Sequence, residues 1–152
     1  MLEFKKILFP TDLTDVSKMI APYALALADK FDSEIHLLFV ARHLKDFDRV
    51  YVPIPSIDKF ESEILDGANK KIREFSNEFF AGCRLCSEKV VAGDAAEEIV
   101  KYIESERMDI VVMGTHGRKG LDSILFGSVA KNVVKMATVP VLTVNPYRVI
   151  LP

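Results

Sequence analysis

The sequence has no tryptophan, only two cysteines and no long uncharged run. Two cysteines cannot build the disulfide framework of a small secreted protein. The longest segment without a charged residue, 136–147, has 12 residues, which is too short to cross a bilayer. Lysine and arginine number 20 against 22 aspartates and glutamates, so the positive surplus of a duplex nucleic-acid binder is missing. The sequence therefore predicts neither a nucleic-acid nor a membrane partner.

What is present is the composition of one globular domain. With 152 residues, of which 49% are hydrophobic and 28% charged, the chain is long enough to bury a core without disulfides or metal ions. The segment from Met1 to Lys6 has neither the basic start nor the apolar stretch of a signal peptide. We therefore expect a single cytoplasmic domain over residues 1–152.

Short apolar runs alternate with segments of helical periodicity. The runs that predict strands are 6–10, 34–41, 88–92, 109–113 and 139–144. The segments with apolar residues at helical spacing are 17–31, 60–79, 94–103 and 129–137. This alternation predicts the α/β class, with a single-domain, doubly wound, five-stranded parallel sheet covered by helices on both faces. The common strand order for such a sheet is 3-2-1-4-5.

Three local signals refine this prediction. Pro22 lies inside the first helical segment and predicts a kink or a late helix start. Asp94, followed three residues later by Glu97, predicts a capped helix start. The stretch from Arg42 to Ser56 predicts a long irregular loop, and loops of that length tend to cover binding sites.

Glycines cluster after the predicted fourth strand. In a doubly wound sheet, ligands bind at the carboxyl ends of the strands where the strand order reverses, here between strands one and four. Strand one ends in Pro10-Thr11-Asp12, and strand four runs into Gly114, Gly117 and Gly120. Gly127-Ser128 then opens the last helix, whose N–H groups and dipole favour a phosphate. The alternative is a glycine-rich connection in which Ser128 is an ordinary N-cap.

The spacing Gly114-x2-Gly117-x9-Gly127-Ser128 resembles the nucleotide-binding signature of the universal stress protein family, in its ATP-binding branch. Other segments resemble that family in the same order: Ile7–Asp12, Ser17 with Tyr23–Ala28, Gly93–Ile99 and Val139–Leu142. The resemblance covers nearly the whole chain. It implies a Rossmann-like, adenine nucleotide alpha hydrolase-like fold in a dimeric stress-response protein. It also implies that the ligand is ATP or another adenine nucleotide, with Mg or Mn bridging the phosphates in some members.

The resemblance also implies which residues bind the nucleotide. Beside the adenosine it implies Pro10, Thr11, Asp12, the backbone of Val40 and, at the ribose, Met113 and Gly114. Around the phosphates it implies Gly117, Arg118, Gly127, Ser128 and Val129. It implies no catalytic residue and no metal ligand from the protein. Leu13 and Thr14 depart from the family, where Gly-Ser often follows the aspartate, so we expect a stiffer or differently shaped loop.

Dimerisation is a further implication of the resemblance, because the family commonly pairs through its last strand. Residues 139–144 form an apolar strand that we expect at the sheet edge, where an unpaired strand invites association. The alternative is that the tail 147–152 folds back over this edge. The sequence does not name a protein partner.

Two other groups of residues carry chemistry. Cys83 and Cys86 have the spacing of redox and zinc pairs, but the pair precedes a strand, and a structural role is favoured over a thiol sensor. Asp12, His116 and Ser128 could form a hydrolytic triad, although Gly127-Ser128-Val129-Ala130 lacks the second glycine of a nucleophile elbow.

The predicted function is therefore binding rather than vigorous catalysis. The P-loop spacing and the dinucleotide glycine fingerprint are both absent. The first hypothesis is a nucleotide-dependent dimeric binding module. The second is a slow metal-dependent ATPase, in which His116 is an acid or base rather than an ordinary solvated histidine. A scaffold that has lost nucleotide binding is the third.

Overall fold

The computed structural model describes residues 1–43, 54–84, 86–116 and 126–148. Strands and helices alternate through these residues. The strands are β1 (Lys6–Pro10), β2 (Glu34–Ala41), β3 (Cys86–Ala92), β4 (Ile110–Gly114) and β5 (Val141–Val144). The helices are α1 (Asp15–Phe31), α2 (Ile54–Phe79), α3 (Ala95–Glu106) and α4 (Ser128–Met136). The strands form one sheet in the order β3-β2-β1-β4-β5, and every pair is parallel, which confirms the predicted fold class.

The sheet has an apolar layer on each face because successive strand residues point to opposite sides. On one face, Ile7 and Phe9 of β1 pack in a cluster with residues of α1 and α2, including Ile20 and Ile72. On the other face, Leu8 belongs to a second cluster with the α3 residues Ala96, Ile99 and Ile103 and the α4 residues Ala130 and Val133. Helices therefore cover both faces, which explains why the central strands are apolar throughout.

The amino end of the sheet is closed by hydrogen bonds to the main chain. Asp109 accepts from the backbone N–H groups of both Lys5 and Lys6, each at 2.8 Å. The Ser33 hydroxyl donates to the Phe4 carbonyl. These bonds join the segment before β1 to the starts of β2 and β4, so the amino end is held by the protein's own groups.

Element boundaries differ from prediction in several places. The helix α1 begins at Asp15 and continues through Pro22, so the late start, one of the two predicted alternatives, is wrong, and the other, a kink, stays a prediction. Pro22 is exposed, and solvent can hydrogen-bond the carbonyl that a proline leaves without a helical donor. The helix α2 begins at Ile54, so residues 54–56 are helical rather than irregular, and the rest of the predicted loop from residue 44 onward lies outside the described residues.

The strand ends moved by one or two residues. The strand β3 begins at Cys86 rather than Glu88, β4 runs one residue later than predicted at both ends, and β5 begins at Val141 rather than Val139. No helix within the described ranges is long and apolar enough to span a membrane.

Candidate functional site

The strand order reverses between β1 and β4. These two strands pair at Ile7 with Ile110 and at Leu8 with Val111, while β2 lies on the other side of β1. Their connections lead to helices on opposite faces, which opens a crevice at the carboxyl ends. Residues 10–12 leave β1 at this edge, and Met113 and Gly114 end β4 beside them. The structure therefore brings these predicted site residues together.

The end of β1 is tied to its neighbour before it turns away. Pro10 pairs with Leu38, and the N–H of Thr11 donates to the Leu38 carbonyl at 2.9 Å. Thr11 is buried, and its hydroxyl accepts from the N–H of Leu13 at 3.0 Å. Asp12 thus follows a residue that is held both by β2 and by the turn that comes after it.

Asp12 accepts three hydrogen bonds at one carboxylate oxygen. Its Oδ1 receives the Thr14 N–H at 3.0 Å, the Thr14 hydroxyl at 2.5 Å and the Ser17 hydroxyl at 2.8 Å. The N–H of Asp12 donates to the Ser17 oxygen at 3.2 Å. Sequence reasoning placed Asp12 correctly at the strand end but missed these two hydroxyl partners, although Asp-x-Thr is a known turn-forming pattern.

Leu13 adopts a left-handed backbone conformation, with φ of +60°. An L-residue with a side chain pays roughly 1–2 kcal/mol for this conformation, which glycine adopts without that cost. The family often has glycine at this position, and Leu13 therefore adopts a backbone conformation that suits glycine better than leucine. Leu13 is partly buried against the cluster on the α1 face, and that packing offsets part of the strain.

Met113 and Gly114 contribute differently. The Met113 side chain is only 6% exposed and packs in the cluster on the α3 face, so only its backbone can face a ligand. A Cβ on Gly114 would lie 2.5 Å from Cδ1 of Ile20 and 3.0 Å from the His116 carbonyl oxygen. A side chain at this position would therefore require the end of the Ile20 side chain to shift and would lie unusually close to the His116 carbonyl.

Among the described residues, no side chain caps the start of the helix α4. Its N-cap residue is Gly127, and its first turn holds no acidic residue. By contrast, Asp94 caps α3 by accepting from the Glu97 N–H at 3.0 Å, which confirms the predicted capped start. The first N–H groups of a helix have no intrahelical acceptor. The start of α4 is therefore an electropositive set of donors, with Ser128 exposed and Val129 half-buried beside it.

Gly127 packs tightly against the end of β4. Its N–H donates to the Thr115 carbonyl at 2.7 Å, and a Cβ at Gly127 would lie 2.9 Å from that same oxygen. The N–H of Thr115 in turn donates to the Val144 carbonyl at 2.9 Å. These contacts hold the start of α4 against the ends of β4 and β5.

His116 is buried, at 8% exposure, so the expectation of a solvated histidine is wrong. Its Nδ1 lies 2.8 Å from the Thr115 hydroxyl, and its ring meets Tyr147 edge-on with centroids 5.5 Å apart. Among the described residues its Nε2 has no hydrogen-bond partner. Among the described residues, His116 has no hydrogen bond to Asp12 or to Ser128. The structure therefore does not support a hydrolytic triad.

The remaining predicted site residues divide into two groups. Val40 lies near the carboxyl end of β2, opposite Val91 of β3, with its side chain against the cluster on the α3 face. Gly117 and Arg118 lie outside the described residues. Within the described part of the chain, no group of three or more histidine, cysteine or acidic side chains is placed to hold a metal ion.

The cysteine pair lies away from the crevice. Cys86 is the first residue of β3, and burial raises the pKa of its thiol to about 11. Its sulfur lies 3.6 Å from the Ser76 hydroxyl, and both cysteines pack against the cluster on the α1 face. A buried thiol that stays protonated at neutral pH is a poor nucleophile, which supports a structural role for Cys86.

The sequence and the fold have their counterpart in a known family. The family model described as the universal stress protein family matches residues 3–145, nearly the whole chain. The chain belongs to the universal stress protein family. This result confirms the resemblance drawn from the glycine spacing.

Relatives of this universal stress protein support the assignment over nearly the whole chain. The universal stress protein MJ0531 of Methanocaldococcus jannaschii is 38% identical over 148 residues, covering 93% of this chain and 82% of the relative. MJ0577 of the same organism, also called a universal stress protein, is 33% identical over 154 residues, covering 93% and 95%.

Solved structures of similar fold support the same family assignment. A structure of MJ0577, described as a structure-based assignment of biochemical function, superposes with a TM-score of 0.82 at 30% identity, covering 95% of this chain and 97% of that one. A universal stress protein crystallised in complex with cAMP superposes with a TM-score of 0.61 at 22% identity, covering 95% and 99%. The second likeness concerns the fold alone.

Proposed function

We propose that this universal stress protein binds an adenine nucleotide, with ATP as the first candidate, in the crevice between β1 and β4. In this proposal, nucleotide occupancy alters a surface that binds a protein partner. The observation that carries it is the start of α4 at this crevice. There a helix begins on Gly127 with no side-chain cap and no first-turn acid, whereas α3 has both a capping aspartate and two glutamates.

The phosphate end of the proposal rests on that uncapped turn. A phosphate satisfies orphan N–H donors and is stabilised by the positive end of the helix dipole. The proposed contacts are the N-terminal turn from Gly127 to Val129 and the glycine-bearing end of β4, together with Gly117 and Arg118. A divalent ion, Mg or Mn, would be held through the phosphates rather than by a protein cluster, and it would add charge neutralisation there.

The adenosine end of the proposal rests on the crevice wall formed by β1 and β2. Thr11 and Asp12 leave β1 beside Val40 of β2, and Met113 offers only backbone atoms because its side chain is buried. The carboxylate oxygens of Asp12 are hydrogen-bond acceptors, which suits the hydroxyl and amino donors of adenosine. The cAMP complex of a fold neighbour supplies a precedent for an adenine nucleotide on this fold.

The sharpest test of the phosphate end is Ser128→Asp. Ser128 is exposed in the first turn of α4, where an acidic side chain normally stabilises a helix by about 0.3–1 kcal/mol. The same charge would repel a phosphate, so we expect ATP affinity to fall by about a hundredfold while the melting temperature holds or rises. Substitution of Gly127 is less informative, because its Cβ would meet the Thr115 carbonyl at 2.9 Å with or without nucleotide.

Ser128→Asn is the matched control, since it has the shape of aspartate without the charge. Calorimetric titration with ATP should give a dissociation constant for this variant close to that of the natural protein. If Ser128→Asp binds ATP as tightly as Ser128→Asn, the phosphates do not lie at α4 and the proposed placement is wrong.

The ligand itself is identified by denaturing freshly purified protein and analysing the released molecules by mass spectrometry. ATP would support the binding role and indicate slow turnover. ADP or AMP would favour hydrolysis by the protein. If no nucleotide is released and added ATP fails to raise the melting temperature, the scaffold function takes its place.

We also propose a homodimer formed through β5. This strand is at the sheet edge, with β4 as its hydrogen-bonded neighbour, and its Leu142 side chain is exposed. Exposed Val134 adds apolar surface on α4, the helix that precedes β5. The alternative was that the tail from Tyr147 covers this edge. The described part of the tail follows a turn at Asn145–Arg148, and its Tyr147 ring contacts His116. The test is the mass of the protein in solution, measured by light scattering. A mass of 17.1 kDa indicates a monomer and contradicts the proposal, whereas twice that mass supports it.

A further inference from the structure

The segment between β1 and α1 is held by its own side chains. The Thr11 hydroxyl accepts from Leu13, and Asp12 Oδ1 accepts from the N–H and hydroxyl of Thr14 and from the hydroxyl of Ser17. Leu13 is kept in a left-handed conformation between these bonds. A segment of this kind holds Asp12 in one orientation.

The helix α1 lacks the side-chain cap that normally stabilises a helix start, because its N-cap residue bonds to Asp12 instead. Thr14 is its N-cap residue, and a threonine there ordinarily accepts a hydrogen bond from the N–H two or three residues later. In this protein Thr14 makes no such cap, and its hydroxyl donates to Asp12 at 2.5 Å instead. Local stability is sacrificed for the position of one carboxylate, a pattern expected at functional sites.

Ser17 is the second hydroxyl and the more deeply placed one. It lies in the first turn of α1 and is only 5% exposed. Its oxygen both donates to Asp12 Oδ1 at 2.8 Å and accepts from the Asp12 N–H at 3.2 Å. Ser17 therefore fixes both the side chain and the backbone of Asp12, and in its buried position water cannot easily substitute for it.

We propose that Ser17 is a positioning residue for adenosine recognition: it acts through Asp12 and sets the affinity for the nucleoside half of the ligand, not for the phosphates. This inference rests on the proposed function, because it assumes that an adenine nucleotide occupies the crevice. It separates the site into a nucleoside half governed by residues 11–17 and a phosphate half governed by α4.

The test is Ser17→Ala, titrated with ATP and with inorganic tripolyphosphate. We expect the ATP dissociation constant to rise by about tenfold, the usual cost of losing a hydrogen bond to a charged group. Tripolyphosphate affinity should not change, because it contacts only the phosphate half. The preference for ATP over GTP should fall as well, which supplies a second measurement that does not depend on tripolyphosphate binding.

Ser33→Ala is the matched control. Ser33 is another buried serine, and its hydroxyl donates to the Phe4 carbonyl at the opposite end of the sheet. It should lose stability without changing ATP affinity or the ATP-to-GTP ratio. Ser17→Thr, which keeps the hydroxyl, should retain the ATP preference, whereas Ser17→Val of the same shape should not.

The outcomes separate the role of Ser17 from the proposed function. If the natural protein binds no adenine nucleotide, the proposed function fails and this inference falls with it. If the natural protein binds ATP and Ser17→Ala binds it equally well with an unchanged ATP-to-GTP ratio, only the role of Ser17 is overturned. An equal loss of ATP and tripolyphosphate affinity would also overturn it, since that result indicates a general structural defect.

Discussion

The two ends of the sheet use their polar groups in opposite ways. At the amino end, Asp109 accepts hydrogen bonds from the N–H groups of Lys5 and Lys6, and the Ser33 hydroxyl donates one to a backbone carbonyl. At the carboxyl end, α4 starts without a cap, Leu13 has a left-handed backbone and His116 Nε2 lacks a partner among the described residues. Strain and unmet donors cost stability. The left-handed backbone occurs at both ends, because Asp32 and Arg107, the C-cap residues that precede β2 and β4, also have positive φ. The difference between the two ends therefore lies in their polar groups: those at the amino end are paired within the chain, and those at the carboxyl end include the donors that the proposed ligand would meet.

The largest effect on stability is expected at the amino end. Asp109→Ala removes the acceptor of two backbone N–H groups, and hydrogen bonds to a charged group contribute about 1.5 kcal/mol or more each. We expect the free energy of unfolding in urea to fall by about 2–3 kcal/mol, with nucleotide affinity unchanged. Asp109→Asn keeps an acceptor and should lose less. A changed ATP dissociation constant in folded Asp109→Ala would show that the two ends are coupled.

A smaller effect of unusual sign is expected at Leu13. In a helix, alanine is more stabilising than glycine, because glycine loses more backbone freedom on folding. At a φ of +60° the order should reverse, so Leu13→Gly should be more stable than Leu13→Ala by about 1 kcal/mol. The measurement is the free energy of unfolding of the two variants in denaturant. Equal stability, or greater stability of the alanine variant, would mean that this loop stores no strain.

The smallest effect is a pH dependence at the amino end. The hydrogen bond from His36, helped by Lys6, lowers the pKa of Glu34 below its usual value. Because the folded-state pKa is depressed, its stabilisation is present above the unfolded value of about 4.3 and is lost as the pH falls through the folded-state pKa. The amount should stay below about 1 kcal/mol, as for other solvent-screened pairs.

Glu34→Gln removes this dependence. Its free energy of unfolding should fall less steeply between neutral pH and about pH 3 than that of the natural protein. Exposed Glu104→Gln, which removes one carboxylate elsewhere, is the control. If both variants follow the natural protein through this pH range, Glu34 makes no contribution to stability at the amino end.

Much of the fold could be predicted because its signals are local. The apolar runs of β1, β2 and β4 alternate with helical periodicity, and the Asp94–Glu97 cap formed as predicted. The errors concern the bounds of helices. The helix α1 continues through Pro22, whose side chain is exposed, and α2 extends back to Ile54 where composition predicted a loop.

The candidate site was predictable to the level of which strand ends meet, but not to the level of contacts. The expected strand order brought the ends of β1 and β4 side by side, as the structure has them, and that a ligand binds between them stays a prediction. Nothing in the sequence pattern indicated that Met113 contributes only backbone, that His116 is buried against Tyr147, or that Thr14 abandons its helix cap for Asp12. Each of these depends on groups brought together from different elements.

The sequence by itself determined the alternation of strands and helices, the apolar central strands and the positions of the glycines, because side-chain periodicity and backbone freedom are properties of neighbouring residues. The tertiary structure decided which polar groups are satisfied. It matched Asp109 to the chain before β1 and joined Ser17 to Asp12, while the start of α4 remained uncapped. Hydrogen bonds are short and directional, so only the packed arrangement of distant segments selects their partners.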